Sequence, residues 1–415
     1  MTTPTTREAC ADLDAADPLA PLREEFVLPE GTIYLDGNSL GPLPRAARER
    51  VRRMVDEEWG QGLIRSWNDA GWFDKPAVLG ERVAPVIGAE PSSVVVCDST
   101  SINLFKVFTA ALALRPGRKV VVAERGSFPT DLYMMEGATG LLDGYQRRLI
   151  GDGGPSLDEA LDDEVAVVVL SHVDYRTGAL HDMAAVTERI QRHGALVVWD
   201  LCHSAGALPI HLARCNADFA VGCTYKYLNG GPGSPAFVYV APRHQDAARQ
   251  PLSGWHGHAD PFAFASDYQP ATGIDRFRCG TPQLLSYAPL EEALELWRHV
   301  DLDAVRAKSV RMTSLFVDLV DRQCTGFGVE VASPRDPDAR GSQVALRHES
   351  SYPVMQALID RNAIGDFRAP DLMRFGFTPL YLRYVDVWDA VVVLRDVLSS
   401  EVWRSERYAT RDAVT

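Results

Sequence analysis

Lys226 stands in Thr224-Tyr225-Lys226-Tyr227-Leu228-Asn229-Gly230-Gly231, and Asp200 stands twenty-six residues earlier in Val197-Val198-Trp199-Asp200-Leu201-Cys202-His203. Both follow apolar, strand-like stretches. A lysine at the end of a buried strand sheds its proton through desolvation and can attack an aldehyde. An upstream carboxylate can hold a pyridinium nitrogen in its charged form. Neither residue carries this meaning alone, because most lysines ahead of a glycine-rich loop are simply solvated. The order strand-Asp, strand-Lys, glycine-rich turn points to a pyridoxal phosphate (PLP) site.

Other segments have the chemistry to complete it. Asp98-Ser99-Thr100-Ser101-Ile102-Asn103-Leu104 ends a strand and opens a helix running to about Leu114. Its hydroxyls and free N–H groups suit a phosphate dianion, and an ordinary N-cap at Thr100 or Ser101 uses the same atoms. Gly37-Asn38-Ser39-Leu40-Gly41-Pro42 follows the short strand Thr32 to Asp36, a turn that presents N–H groups to a substrate carboxylate or is a plain tight turn. Gly126-Ser127-Phe128-Pro129-Thr130-Asp131 reads as a loop that offers an aromatic face to a cofactor ring, or a core phenylalanine. His203 can orient Asp200 if the chain turns helical there, or pack at a helix start. Tyr225 needs a backbone bend to reach what Lys226 reaches, and Gly230-Gly231-Pro232-Gly233 makes one reasonable. Arg374, in Leu372-Met373-Arg374-Phe375-Gly376, suits bidentate capture of an α-carboxylate or a structural salt bridge. No metal site is expected, because His256 and His258 lack a nearby Cys or Glu to complete a coordination sphere.

These residues hang on alternating elements. Apolar runs at Val94 to Cys97, Val120 to Ala123, Val165 to Leu170, Leu196 to Trp199, Phe219 to Cys223 and Phe237 to Val240 alternate with helical patterns. Such runs predict a mostly parallel α/β sheet whose strand carboxyl ends gather ligands. Ser171-His172 is one of those ends, with Asp98 to Ser101, Asp200 to His203 and Thr224 to Lys226. One long amphipathic pattern from Ala293 to Arg322 leads into a smaller α+β unit. Its expected strands are Gln343 to Leu346 and Met373 to Phe375, with helices at Tyr352 to Arg361 and Val385 to Leu398. The chain has 415 residues and a formal charge of −14, which disfavours nucleic-acid and anionic membrane partners. The basic run Arg45 to Arg53 reads as a solvated helix face. Seven cysteines without a C-x-x-C pair fit a reducing cytoplasm. Residues Met1 to Leu22 lack the basic and apolar regions of a signal peptide, and no apolar run nears the ~20 residues of a membrane span.

With these motifs assembled, the chain resembles the kynureninases of PLP fold type I, the aspartate aminotransferase superfamily, from about Tyr34 to Tyr381 and most closely in the bacterial branch. The resemblance rests on Tyr34-Leu35-Asp36-Gly37-Asn38-Ser39-Leu40-Gly41, Phe128-Pro129-Thr130-Asp131, Asp200-Leu201-Cys202-His203, Tyr225-Lys226-Tyr227-Leu228-Asn229, Gly254-Trp255-His256-Gly257-His258, Met373-Arg374-Phe375 and Pro379-Leu380-Tyr381. It implies a large domain at 46–300 with a mostly parallel seven-stranded sheet, a small C-terminal α+β domain at 301–415, and an N-terminal segment at 1–45 packed on the small domain. It also implies PLP on Lys226, Asp200 at the ring nitrogen with His203 in the same network, and Thr100, Ser101, Ser171 and Tyr225 about the cofactor. Phe128, Pro129, Thr130 and Asp131 would lie along the ring. Trp255 and Thr281 would reach the phosphate of a neighbouring subunit, so a homodimer with active sites at the interface is implied. Arg374 would hold the substrate carboxylate, with Asn38 and Ser39 nearby, and Trp67 and Gly280 would line the aryl pocket. The implied reaction is hydrolysis of L-kynurenine, or 3-hydroxykynurenine, to anthranilate or 3-hydroxyanthranilate and L-alanine in tryptophan degradation, with Lys226 moving the Cα proton and Tyr225 relaying one at the cleavage step. A specialised enzyme for a ring-substituted kynurenine, a cysteine desulfurase or an aminotransferase of this fold are the alternatives. Position 256 is often an apolar aromatic in this family, and here it is histidine.

Overall fold

In a computed structural model that describes residues 4–411, the β-branched runs form a seven-stranded sheet. Its strands are β1 (Val94–Val96), β2 (Val120–Glu124), β3 (Gln146–Ile150), β4 (Val165–Ser171), β5 (Leu196–Asp200), β6 (Phe219–Gly222) and β7 (Phe237–Val240), in the order β1-β7-β6-β5-β4-β2-β3. The pairings from β3 to β6 are parallel, and β7 is antiparallel to both neighbours. Two antiparallel pairings restore direction, so β1 ends at the same edge as β4, β5 and β6. Alternate side chains enter the two cores: Val94, Val96, Val120 and Val122 one, Val95, Val121 and Ala123 the other. Helices Thr100–Ala113 and Pro129–Gly140 cover the second face.

Strand β3 is the one that the sequence pattern does not announce. Gln146, Arg147 and Arg148 precede its only apolar residues, and β2 is its sole partner. An edge strand needs no apolar run, and charged side chains there block further pairing.

The pattern expected as one run from Ala293 to Arg322 is two helices, Leu284–Trp297 and Leu302–Gln323. Asp301 makes the break, its carboxylate accepting from Asp303 N at 2.9 Å as the N-cap of the second. Beyond lies an antiparallel sheet of β8 (Glu330–Val331), β9 (Gln343–Arg347), β10 (Asp366–Arg368) and β11 (Leu372–Gly376), ordered β8-β9-β11-β10, with helices Ser351–Ile359 and Tyr384–Ser399.

The N-terminal segment lies against this unit. Asp14 accepts from the free N–H groups of Tyr384 and Val385, at 2.6 and 3.1 Å, where that helix begins. Ile33–Tyr34 pairs in parallel with Ala363–Ile364. Of the division expected at 1–45, 46–300 and 301–415, the outermost residues 1–3 and 412–415 lie outside the described ones.

The basic run at Arg45–Arg53 is a helix, and the reading of it as wholly solvated needs one correction. Arg50 is buried, 2.9 Å from Glu58 and also paired with Glu291, which in turn holds Lys75. A residue among four exposed arginines gives no sequence sign of being the inward one.

Lys308 and Asp17, both 5% exposed, form a 2.6 Å ion pair between the helix Leu302–Gln323 and the N-terminal segment. Removing one partner of such a pair strands the other charge without solvent. Asp17→Ala is therefore expected to lower stability by ~3–5 kcal/mol, and Asp17→Leu with Lys308→Met to recover most of it. Urea unfolding of the three proteins checks this, and an unshifted midpoint for Asp17→Ala would refute it.

Candidate active site

Four strand ends converge. Ser171 closes β4 directly opposite Asp200, which closes β5, and Lys226 follows β6 in an irregular stretch. Lys226 Nζ lies 2.9 Å from His203 Nε2, and His203 Nδ1 lies 3.1 Å from Gln343 Oε1. Gln343 Nε2 donates to the carbonyls of Asp174 and Tyr175, which fixes its oxygen toward the imidazole. Nδ1 therefore carries the ring proton, and Nε2 accepts from the lysine. Burial, reinforced by the Lys226 charge, pushes the His203 pKa well below its usual value, which matches this neutral tautomer. The sequence reading expected His203 to orient Asp200; its two ring nitrogens instead meet Lys226 and Gln343. Gln343, which completes the chain, was missed. It sits in the small sheet, and only tertiary structure brings it here.

Asp200 has a different neighbour. Its Oδ1 accepts from Cys202 N at 2.8 Å, and its charge bears on Asp131, buried at the start of helix Pro129–Gly140. Burial first, then that like charge, raises the Asp131 pKa well above the carboxylate range, and Asp131 Oδ2 has no hydrogen-bond partner. Two buried carboxylates with an orphaned oxygen call for a cationic N–H. The protonated ring nitrogen of PLP answers that demand, so the residues fit the group.

The phosphate end fits as well. A cleft of about 380 Å³ is lined by Asp98 to Ile102, Tyr225, Gly233, Ser234 and Gln283 at the start of helix Thr100–Ala113. Ser99 is the N-cap, its hydroxyl accepting from Ile102 N, so Thr100 and Ser101 are not the capping residues. Thr100 Oγ1 touches Cys202 Sγ at 3.7 Å, and Ser101 is half-buried at the cleft. The bend that Tyr225 requires is present, since β6 ends at Gly222. The Tyr225 ring lines the cleft, and its centroid is 5.9 Å from Lys226 Nζ. Phe128 stands 41% exposed at the start of the Pro129, Thr130 and Asp131 helix, its ring edge-on to Tyr175 at 5.1 Å.

At the opposite side, the turn Asp36 to Gly41 does not offer free N–H groups at Ser39, Leu40 or Gly41. The first two bond Asp36 O, and Gly41 N bonds Tyr225 O at 2.8 Å. The Ser39 hydroxyl instead faces Asp366, Arg374 and Arg368. Asn38 is fully buried with neither amide atom paired. Arg374 is 1% exposed and forks onto Asp366, so the salt-bridge reading of it holds whatever else it binds. Asp366, Arg368 and Tyr175 were all missed. An i, i+2 pair on a hairpin with Arg374 was the available signal.

Trp67 and Trp255 meet, their rings 5.8 Å apart, and Gly280 follows Cys279, whose carbonyl accepts from His256 N. Gly254 permits that approach, for a Cβ there would sit 2.2 Å from Cys279 O. His256 stacks on Trp255 and bonds the Phe73 carbonyl at 3.0 Å, and burial lowers its pKa to about 4. Trp255 and the exposed Thr281 do not line the phosphate cleft of their own chain. Among the described residues no three His, Cys, Asp or Glu side chains gather to hold a metal, and no helix is long and apolar enough to cross a membrane.

Comparison with known proteins agrees with this architecture. The fold is that of a cysteine desulfurase from Thermococcus onnurineus NA1 (TM-score 0.77, 19% identity, covering 92% of this chain and 98% of that one). It is equally that of the cystine C–S lyase C-DES (TM-score 0.73, 18% identity, 88% and 98% covered). Residues 305–394 match the kynureninase C-terminal domain. The chain is 54% identical over 415 residues to a kynureninase of Burkholderia mallei (strain SAVP1), covering 99% of this chain and all of the relative. Against a kynureninase of Pseudomonas fluorescens it is 51% identical over 416 residues, with the same coverage. An α/β chain of this fold, alike from end to end to such relatives, belongs to the kynureninase family.

Proposed function

We propose that this chain hydrolyses L-kynurenine to anthranilate and L-alanine with PLP as its cofactor. The observation that carries the reading is the Lys226–His203–Gln343 chain set beside the buried Asp131 and Asp200 pair, in a member of this family. PLP, when bound, supplies an electron sink conjugated to the substrate's amino group. Asp200, with Asp131 beside it, keeps the ring nitrogen protonated, and each unit of pKa so gained is ~1.4 kcal/mol of differential stabilisation. Thr100, Ser101 and Tyr225 hold the phosphate at the helix N-terminus, with Ser171 near the ring and Phe128 to Asp131 along it.

Lys226 anchors the cofactor and, once displaced, moves the proton at the substrate's Cα. His203, neutral and accepting, takes a lysine proton's hydrogen bond and so favours a lone pair aimed at the reacting carbon. Tyr225 acts at the γ-carbonyl. The neighbouring Cys223 and then burial push its phenol pKa up, so it keeps the proton that the cleavage step requires. Arg374 and Ser39 hold the α-carboxylate with Asn38 behind them, and Trp67 and Gly280 receive the aryl ring. For the desulfurase alternative the carrier would be Cys324. It is 2% exposed where helix Leu302–Gln323 ends, with its thiol pushed up to about 11 by burial, so it makes a poor mobile nucleophile.

The working unit is a homodimer, in which Trp255 and Thr281 meet the partner's phosphate. In favour stands an aromatic surface running from Trp67 and Trp255 through Phe73 and Phe262 to Phe264, the last two 64% and 88% exposed. Seven free cysteines favour a cytoplasmic location.

With L-kynurenine, the holoenzyme is expected to release fluorescent anthranilate and alanine rather than a keto acid. Lys226→Ala should lose both turnover and the absorbance of lysine-bound cofactor, and persistence of that absorbance would sink the assignment. Tyr225→Phe should retain the cofactor while kcat falls ~100-fold or more, and unchanged cleavage in rapid kinetics removes Tyr225 from the proton path. Sedimentation should give twice the 45.6 kDa chain mass, and a fully active monomer would overturn the shared site.

A further inference from the structure

Arg374 alone has too few free donors to receive a carboxylate. Of its five N–H groups, Nε and one on Nη2 go to Asp366, the other on Nη2 to Ser39 Oγ at 3.2 Å, and one on Nη1 to the Tyr175 carbonyl. One remains, and a bidentate carboxylate needs two. Arg368 stands on the same face of the small sheet. Asp366 is the register partner of Arg374, and Arg368 lies two residues beyond Asp366 on the same strand. Its Nη2 reaches Asp366 at 2.8 Å and Ser39 Oγ at 3.4 Å, and its Nη1 donates to Phe367 O at 2.9 Å. That leaves Nε and one N–H on Nη1 without a partner among the described residues.

Two further observations aim those donors at the site. The Arg368 side chain is 32% exposed where that of Arg374 is 1%, so Arg368 is the guanidinium open to a ligand. Arg374 and the Gln343 amide share the Tyr175 carbonyl, and Gln343 holds the His203 ring that touches Lys226, so the guanidinium cluster adjoins the reacting centre. Asp366 offsets one of the two positive charges. Asp36, half-buried beside Asp366, has its pKa raised to about 7 by desolvation and then by that carboxylate. The two guanidiniums outnumber the one carboxylate that both hold, a charge pattern suited to an anionic ligand.

We propose that Arg368 determines specificity at this site by receiving the α-carboxylate of the bound amino acid together with the one free N–H of Arg374. The inference rests on the reading of this cluster as the carboxylate end of the site. Asp366 then becomes the positioning residue, the shared anchor that holds both guanidiniums in register.

The experiment titrates holoenzyme with L-alanine and with L-alaninamide and reads the cofactor's absorbance, in wild type, Arg368→Gln and Arg368→Lys. The two ligands share the amine and differ only at the carboxyl. Wild type should bind L-alanine more tightly than the amide. In Arg368→Gln that preference should fall at least ~tenfold through weaker L-alanine binding alone, and Arg368→Lys should restore part of it. No preference in wild type, an unchanged ratio in Arg368→Gln, or equal weakening of both ligands would each overturn the proposal. Because the titration needs no kynurenine turnover, failure to release anthranilate with the ratio still responding would strike the proposed reaction and leave Arg368 standing.

Discussion

The contact on which the arrangement depends is the path from Lys226 through His203 to Gln343. It starts on the segment after β6, crosses an imidazole at the end of β5 and ends on β9 of the small sheet. Each link fixes the next. The Asp174 and Tyr175 carbonyls set the Gln343 amide, the amide sets the imidazole tautomer, and the tautomer presents a lone pair to the amine. A lysine held this way has its position determined by two sheets at once, which ties the placement of the small unit to the chemistry at the large sheet's edge.

Around that lysine the protein sorts its electrostatic demands by direction. The buried Asp131 and Asp200 carboxylates repel each other, so that end of the site favours a cationic N–H. The start of helix Thr100–Ala113, where N–H groups point outward, requires an anion. Arg368 and Arg374 require a second anion on the far side, partly neutralised by Asp366. Cation-seeking and anion-seeking surfaces some distance apart define an orientation for any zwitterionic or phosphorylated ligand before a single contact is optimised.

The fold is shared with a cysteine desulfurase and a C–S lyase at under 20% identity, so fold alone does not fix the chemistry, which rests on the residues at the site. Apart from the cleft at Lys226, this chain carries an aromatic wall built from Trp67, Trp72, Phe73 and Trp255, joined across the loop by the His256 bond to Phe73 O. His256 in place of an apolar ring keeps the stacking on Trp255 and adds that polar tie.

Much of this was legible in residue order. Continuous Val and Ala runs specify strands buried on both faces, so six of the seven strands, the ligand edge and the positions of Asp200 and Lys226 follow from local composition. The helix start at Thr100 does so as well, whereas Pro129 to Asp131, expected in a loop, open the helix Pro129–Gly140. What tertiary structure decided are the pairings between distant segments. Gln343 joined His203 across 140 positions, Arg50 among its exposed neighbours was chosen to meet Glu291, and Asp301 cut one helical pattern into two. Arg374 kept its predicted place but acquired Asp366 and Arg368 as companions, and the turn at Asn38 and Ser39 offered a hydroxyl where N–H groups were expected. The reason is physical. Hydrophobic periodicity encodes which face of an element is buried, whereas a hydrogen bond or an ion pair is settled by where two faces finally meet, within a few tenths of an ångström that no local pattern specifies.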